Sequence, residues 1–197
     1  MSEAVKKMFS RIAKDYDRMN SILSFGIHHR WRKIAANEAN LQDGMKILDC
    51  ATGTGDLAIA FANRLNGKSE IIGMDFNEDM MSIAKEKANK TGHKIKFETG
   101  DVLALNYPDN YFDVASISFG IRNVDNPKKG LIEMARVVKP NGKVLVLEFG
   151  QPDDWFKVPY NFYNKLIPAI GKFIVNDKSA YTYLPNTTQR FPAGDKF

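Results

Sequence analysis

One cysteine, Cys50, stands in the 197 residues, so no disulfide framework can form. No apolar run approaches the ~20 residues that cross a bilayer. The N-terminus mixes charges with its apolar positions and lacks the basic start and apolar block of a secretory signal. Internal repeats and low-complexity linkers are missing too. These absences set aside exported, disulfide-stapled, membrane-spanning and repeat proteins, and point to a cytoplasmic one. No metal site is expected.

What is present fits one ordinary globular domain: 44% hydrophobic and 26% charged residues in a chain too short for two comfortable cores. The net charge of +5 suits an RNA substrate or an anionic membrane, but also many soluble enzymes. The densest basic stretch, His28 to Lys33 around Trp31, reads as a solvated helix face with one aromatic anchor.

Val5, Met8, Phe9, Ile12, Tyr16 and Met19 follow the rhythm of an amphipathic helix, and His29 to Asn40 forms a second. After Gln42-Asp43-Gly44 strands and helices alternate. Met45 to Ala51, Glu70 to Phe76, Lys94 to Thr99, Phe112 to Phe119 and Lys143 to Phe149 have strand length and composition. Helices fill Asp56 to Leu65 and Glu78 to Lys90, the latter capped by Asn77, and Pro127 sits in a first helical turn. This alternation predicts an α/β fold with a parallel sheet covered on both faces. The expected organisation is a helical cap at 1–43, a core at 44–150, and an aromatic segment at 151–197 with helical spacing from Trp155 to Ile174.

The first strand runs through Asp49 into Thr52-Gly53-Thr54-Gly55-Asp56, and Gly53, Gly55 and Ala58 meet the G-x-G-x-x-G/A spacing. Such glycines let the backbone approach a ligand closely. Asp75, about twenty residues on at the end of the second strand, can accept hydrogen bonds from both ribose hydroxyls. A dinucleotide would bring a pyrophosphate, which Asp49 and Asp56 beside the loop repel. S-adenosylmethionine brings an ammonium and a sulfonium, which they attract. Cys50 reads as a small buried residue.

Gly100-Asp101 closes the third strand and Lys139-Pro140-Asn141-Gly142 turns into the fifth, an order of features similar to class I methyltransferases. That resemblance implies a Rossmann-like fold and a contact from Asp101 and the Val102 backbone to adenine. Enzymes that methylate exocyclic base nitrogens carry an Asn/Asp-Pro-Pro-aromatic motif after the fourth strand; here Ser118-Phe119-Gly120-Ile121-Arg122-Asn123 stands instead. With Met8-Phe9-Ser10-Arg11-Ile12-Ala13, Tyr16-Asp17-Arg18-Met19-Asn20, Ser24-Phe25-Gly26-Ile27 through Trp31-Arg32, and Tyr183-Leu184-Pro185-Asn186 through Arg190-Phe191-Pro192, the chain resembles the ubiquinone and menaquinone biosynthesis C-methyltransferases, collinearly over its whole length.

The resemblance implies S-adenosylmethionine as cofactor, with Thr54, Asp75, the Asp101-Val102 pair and Ser118 at binding positions beside Asp49, Gly53 and Gly55. It implies methyl transfer to a ring carbon of demethylmenaquinol or the related benzoquinol. Arg122, after the fourth strand, is then expected to stabilise a phenolate or orient a water, and Asn123 to hold a quinol oxygen. His28, Tyr16 and a water are the candidate bases. A prenylated substrate implies transient contact with the inner face of a membrane and no nucleic-acid partner, with Met8, Phe9, Trp155, Phe156, Phe162, Tyr163 and Ile170 as an apolar mouth or as core. Members of the family continue into another helix and a terminal strand pair, so those strands are expected to be missing and the fifth strand to leave an edge open to self-association. An RNA methyltransferase and a non-catalytic adenosylmethionine-binding module remain as other readings.

Overall fold

The computed structural model describes residues 3–150 together with Tyr183, Thr187, Thr188, Phe191, Pro192 and Phe197. The expected Trp155 to Ile174 segment, with Trp155, Phe156, Phe162, Tyr163 and Ile170, lies outside the described residues.

Eleven regular elements follow in order: α1 (Glu3–Ile12), α2 (Tyr16–Leu23), α3 (Ile27–Glu38), β1 (Lys46–Cys50), α4 (Asp56–Ala62), β2 (Glu70–Asp75), α5 (Glu78–Thr91), β3 (Lys96–Thr99), β4 (Phe112–Ser118), α6 (Pro127–Val137) and β5 (Val138–Leu147). The five strands form one parallel sheet in the order β3-β2-β1-β4-β5. The order reverses between β1 and β4, where the two halves of a doubly wound sheet part to leave a crevice at their carboxyl ends. Alternate residues of β1 serve opposite faces. Ile47 packs with Ala36 of α3 and Leu57 and Phe61 of α4, while Leu48 and Cys50 pack with Met134 and Val137 of α6. Cys50 is wholly buried at the end of the central strand.

Local chemistry explains the helix ends. Asn77 Oδ1 accepts the Met80 amide at 3.2 Å to cap α5, and Asn126 Oδ1 accepts the Lys129 amide at 3.0 Å ahead of Pro127 in α6. The single first helix expected from Val5 to Met19 is instead two, joined by a 3-10 turn over Ala13–Asp15. The tighter winding turns the apolar face by only about 60° over three residues, so the sequence rhythm runs through the break. Met8, Ile12, Met19 and Leu23 still meet in one small core of their own.

The fifth strand begins at Val138, not Lys143, and ends at Leu147. Val138 pairs with Phe112, but the next partner of β4, Val114, pairs with Lys143. The expected Lys139-Pro140-Asn141-Gly142 turn is therefore present, as an excursion within the strand. A Cβ on Gly142 would sit 2.6 Å from the Asp113 carbonyl, which requires glycine there. Among the described residues β5 pairs with β4 alone, and no helix is long and apolar enough to cross a membrane.

Candidate active site

The carboxyl ends of β1, β2 and β4 open on a narrow cleft under the helical cap. Gly53, Asp75, Asn77, Ser118 and Asn123 line it from the core, and Phe9 of α1 and Tyr16 of α2 line it from the cap. Its volume of about 40 Å³ holds a few waters, well below the several hundred Å³ of a nucleoside pocket. Ligand entry therefore requires the cap to shift.

The backbone around this cleft is held in conformations that cost energy. Ala51, after β1, and Phe119, after β4, both take the left-handed conformation, at φ 48° and 54°. The two strand ends come so close that a Cβ on Gly120 would lie 2.7 Å from that of Ala51. Gly55, at φ 81°, meets α5 equally tightly: a Cβ there would stand 2.9 Å from Ala84 Cβ. The glycine spacing in the sequence thus reflects one helix packed against another as much as room for a ligand.

Asp75 is the organiser of the loop. Its Oδ2 accepts the Gly53 amide and its Oδ1 the Asn77 amide, each at 2.8 Å. Burial pushes its carboxyl above the usual range, and the amides of Asn77, Gly53 and Phe76 pull it back. Asp49 lies beneath the loop, accepting from Thr52 Oγ1 and Ser116 Oγ at 2.7 Å each. Burial raises its pKa to about 6, opposed by those two hydroxyls and by Arg32. Asp49 does not line the cleft; it adds negative potential from below. Thr54 Oγ1 is turned to Asp17, at 2.6 Å.

Asp56, expected to attract a cationic ligand, has its charge balanced. Arg32 Nη1 stands 2.8 Å from one oxygen and Lys87 Nζ contacts the other. His28 to Lys33 is correspondingly not a wholly solvated face, because His28 and Arg32 point inward. Asp101 and Val102 follow β3 outside the lining of the cleft, just beyond Gly100, whose amide donates to the Asp75 carbonyl at 3.1 Å. Asp101 Oδ1 accepts the Leu103 amide at 2.9 Å in an exposed turn, and Val102 is buried.

The structure brings Asn123 and Tyr16, expected on the substrate side, together with Ser118, expected at the cofactor. It does not bring Arg122 to them. The guanidinium is buried against Glu148, donates to the Phe119 carbonyl at 2.8 Å, and lies over the Phe149 ring. The expected phenolate-stabilising role therefore lacks a geometric basis in this arrangement, since Glu148 already balances the charge. His28 also lies away from the cleft. Its Nδ1 is 2.6 Å from Ser24 Oγ, and burial, together with the charges of Arg32 and His29, lowers its pKa to about 4.

Sequence reasoning missed three partners. Lys87 Nζ reaches Asp17 Oδ2 at 2.6 Å as well as Asp56, pinning α2 to the loop. Glu148 holds Arg122, and Tyr183 donates its hydroxyl to Asn123 Oδ1 at 2.9 Å. Asp17 and Tyr183 stand inside the motifs Tyr16-Asp17-Arg18-Met19-Asn20 and Tyr183-Leu184-Pro185-Asn186, so the signal lay there without the pairing.

The chain is similar to known proteins. The profile of the ubiE/COQ5 methyltransferase family matches residues 1–197. The ubiquinone/menaquinone biosynthesis C-methyltransferase UbiE of Bdellovibrio bacteriovorus is 48% identical over 197 residues, 99% of this chain and 83% of that one. The demethylmenaquinone methyltransferase of Bacteroides fragilis is 42% identical over 198 residues, 98% of this chain and 80% of that one. Among solved structures, the YcgJ protein of Bacillus subtilis superposes with a TM-score of 0.60 at 25% identity, over 72% of this chain and 59% of that one. A putative S-adenosyl-L-methionine-dependent methyltransferase of Methanococcus maripaludis does so at 0.63 and 20% identity, over 95% and 89%. The latter likeness concerns the fold alone. With the Rossmann-like sheet and the full-length match together, the chain belongs to the ubiE/COQ5 methyltransferase family.

Proposed function

We propose that this chain methylates a ring carbon of a prenylated quinol, demethylmenaquinol or the related benzoquinol, with S-adenosylmethionine as methyl donor. The observation that carries the reading is the cleft itself: the glycine loop and Asp75 face aromatic side chains of the cap across the ends of β1, β2 and β4. The names of the Bdellovibrio and Bacteroides relatives support the substrate class. The donor fits. Gly53 and Gly120 keep the walls free of side chains, and Asp75 retains lone pairs for ribose hydroxyls beyond its two amide bonds. Asp49 and Asp75 together give the floor a negative potential suited to a cation. Asp101 keeps an oxygen for an adenine amino group, Ser118 lines the wall, and Thr54 holds Asp17 of the cap against the loop.

When bound, S-adenosylmethionine would supply an electrophilic methyl for the ring carbon, which residues of the cleft would hold in line while the phenolic proton is removed. A phenol with pKa near ~10 needs help to lose that proton. Tyr16 lines the cleft and can relay it to a water, while Asn123 holds the quinol oxygen. Phe9 and Tyr16 hold the ring plane, and alignment of this kind accounts for roughly 7 to 11 kcal/mol of such barriers. We read the three segments, 1–43, 44–150 and 151–197, as parts of one methyltransferase domain. Its tail-bearing substrate places the enzyme transiently at the cytoplasmic face of a membrane.

Incubation with methyl-labelled S-adenosylmethionine and short-chain demethylmenaquinol or demethylated benzoquinol, with RNA as control acceptor, tests the proposal. Label on a quinol is expected. Label on RNA alone, or cofactor binding with no transfer to either quinol, overturns it.

A further inference from the structure

The hairpin of α2 and α3 presents an apolar and basic surface that the methyl-transfer reading does not use. Four of the seven large hydrophobic side chains exposed among the described residues fall within thirteen positions: Ile22, Phe25, Ile27 and Ile34. Single exposed hydrophobics are ordinary, but clustering of this kind is not. Phe25 stands at the hairpin tip, 80% exposed, and it does so in the left-handed conformation at φ 50°, which a bulky side chain adopts only at a cost. Ile27 and Ile34 are seven residues apart on α3 and so share a face, with Arg30 between them on the same side. Ile22 and Arg18 share a face of α2 by the i, i+4 rule.

The exposed charge around these residues is mostly basic, with Glu38 at the end of α3 the one exposed acid of that helix. From Arg11 to Lys33 every exposed charged side chain is basic: Arg11, Lys14, Arg18, Arg30 and Lys33. The acids of this stretch, Asp15 and Asp17, are partly buried, and Asp17 is held by Lys87. The surface also connects to the cleft. Trp31, half-buried on α3, has its ring 6.2 Å from that of Phe119, which lines the cleft.

We propose that this hairpin is a docking surface for an anionic phospholipid bilayer, Phe25 and Ile27 entering the headgroup boundary while Arg18, Arg30 and Lys33 meet lipid phosphates. Apolar side chains ringed by cations are the chemistry of interfacial binding, and each basic residue near an anionic surface contributes about a fivefold gain in partitioning. The inference rests on the reading that the substrate carries a polyprenyl tail. It adds where the protein touches the bilayer, and that Trp31 and Phe119 lie between that contact and the reacting ring.

Co-sedimentation of the full chain with vesicles of phosphatidylglycerol and phosphatidylcholine, against vesicles of phosphatidylcholine alone, tests it. Binding to the anionic vesicles, weakened by salt, is expected. Phe25→Ser/Ile27→Ser and Arg30→Glu/Lys33→Glu should each reduce partitioning at least tenfold, with unchanged circular dichroism and unchanged methylation of a short-chain quinol in solution. If the wild type ignores anionic vesicles yet methylates the short-chain quinol, the docking surface is wrong and the function stands. Variants that bind vesicles as the wild type does, lose short-chain activity, or differ from the wild type only in RNA binding or self-association also overturn it. Failure to methylate any quinol, by contrast, removes the functional reading beneath it.

Discussion

The hydroxyl of Tyr183 donates to Asn123 Oδ1 across 2.9 Å, tying a residue near the end of the chain to the turn after β4. With its oxygen so held, Asn123 presents its amide nitrogen as the group to meet a ligand oxygen. Tyr183 is thus a positioning residue. Tyr183→Phe should raise the quinol KM and lower turnover by roughly 3- to 10-fold, the worth of one net hydrogen bond. Cofactor affinity should stay within twofold. Steady-state kinetics with calorimetry checks this, and a change confined to cofactor binding would remove Tyr183 from the substrate side.

Asp75 holds two loop amides as well as facing the cleft. Asp75→Ala should weaken S-adenosylmethionine binding more than tenfold, from the ~1.5 to 3 kcal/mol of a charged hydrogen bond, and also lower the melting temperature. Asp75→Asn keeps one acceptor and much of the loop, so its melting temperature should fall less while affinity still drops. Isothermal calorimetry showing wild-type affinity in both variants would exclude Asp75 from the cofactor site.

Arg122 and Glu148 form a buried pair. Arg122→Ala leaves Glu148 as an uncompensated buried charge, at a cost of ~3 to 5 kcal/mol, so stability should fall before any effect on turnover is readable. Removing both charges, as Arg122→Met/Glu148→Leu, should recover most of the loss in urea denaturation. Undiminished stability in Arg122→Ala would show that the pair holds little of the fold and would return Arg122 to the catalytic candidates.

His28 is held neutral in the fold down to about pH 4, whereas an unfolded histidine charges near 6.5. Between those values the unfolded chain binds more protons, so His28 lowers stability as pH falls from 6.5 to 4. Asp49 acts oppositely: its folded pKa of about 6 lies above the unfolded value of 3.8, so it favours the fold as pH falls through that window. The difference between wild type and His28→Asn isolates the histidine. Without the histidine's opposing contribution the variant should gain stability relative to the wild type as pH falls from 6.5 to 4, measured by denaturant unfolding at each pH. Parallel profiles would mean that His28 titrates alike in both states.

The sheet and the glycine loop were legible because strands, glycines and Asp75 carry local signals: β-branched runs, turn chemistry and a fixed offset. The cap at Asn77 and the first-turn position of Pro127 were legible for the same reason. Strand ends were less so. The excursion at residues 139–142 hides a strand that starts five residues earlier, because a turn and a bulge share the same Lys-Pro-Asn-Gly chemistry. The least legible features were long-range charge pairs. Arg122 and Glu148 are 26 positions apart, and Lys87 and Asp17 are 70 apart. A motif names such residues without saying whether a side chain meets a ligand or another side chain.

The wholly buried Cys50 has a consequence for how the molecule opens. Burial, reinforced by the neighbouring Asp49, pushes its thiol well above the usual range, so no thiolate forms while the central strand is intact. Because it is the chain's only sulfhydryl, its alkylation is an intrinsic clock of sheet rupture, silent to movements of the cap. In native buffer, iodoacetamide should label it only at the rate of global opening. Cofactor that binds the folded state alone should slow that clock by the factor 1 + [L]/Kd, which turns one atom of sulfur into a measure of occupancy.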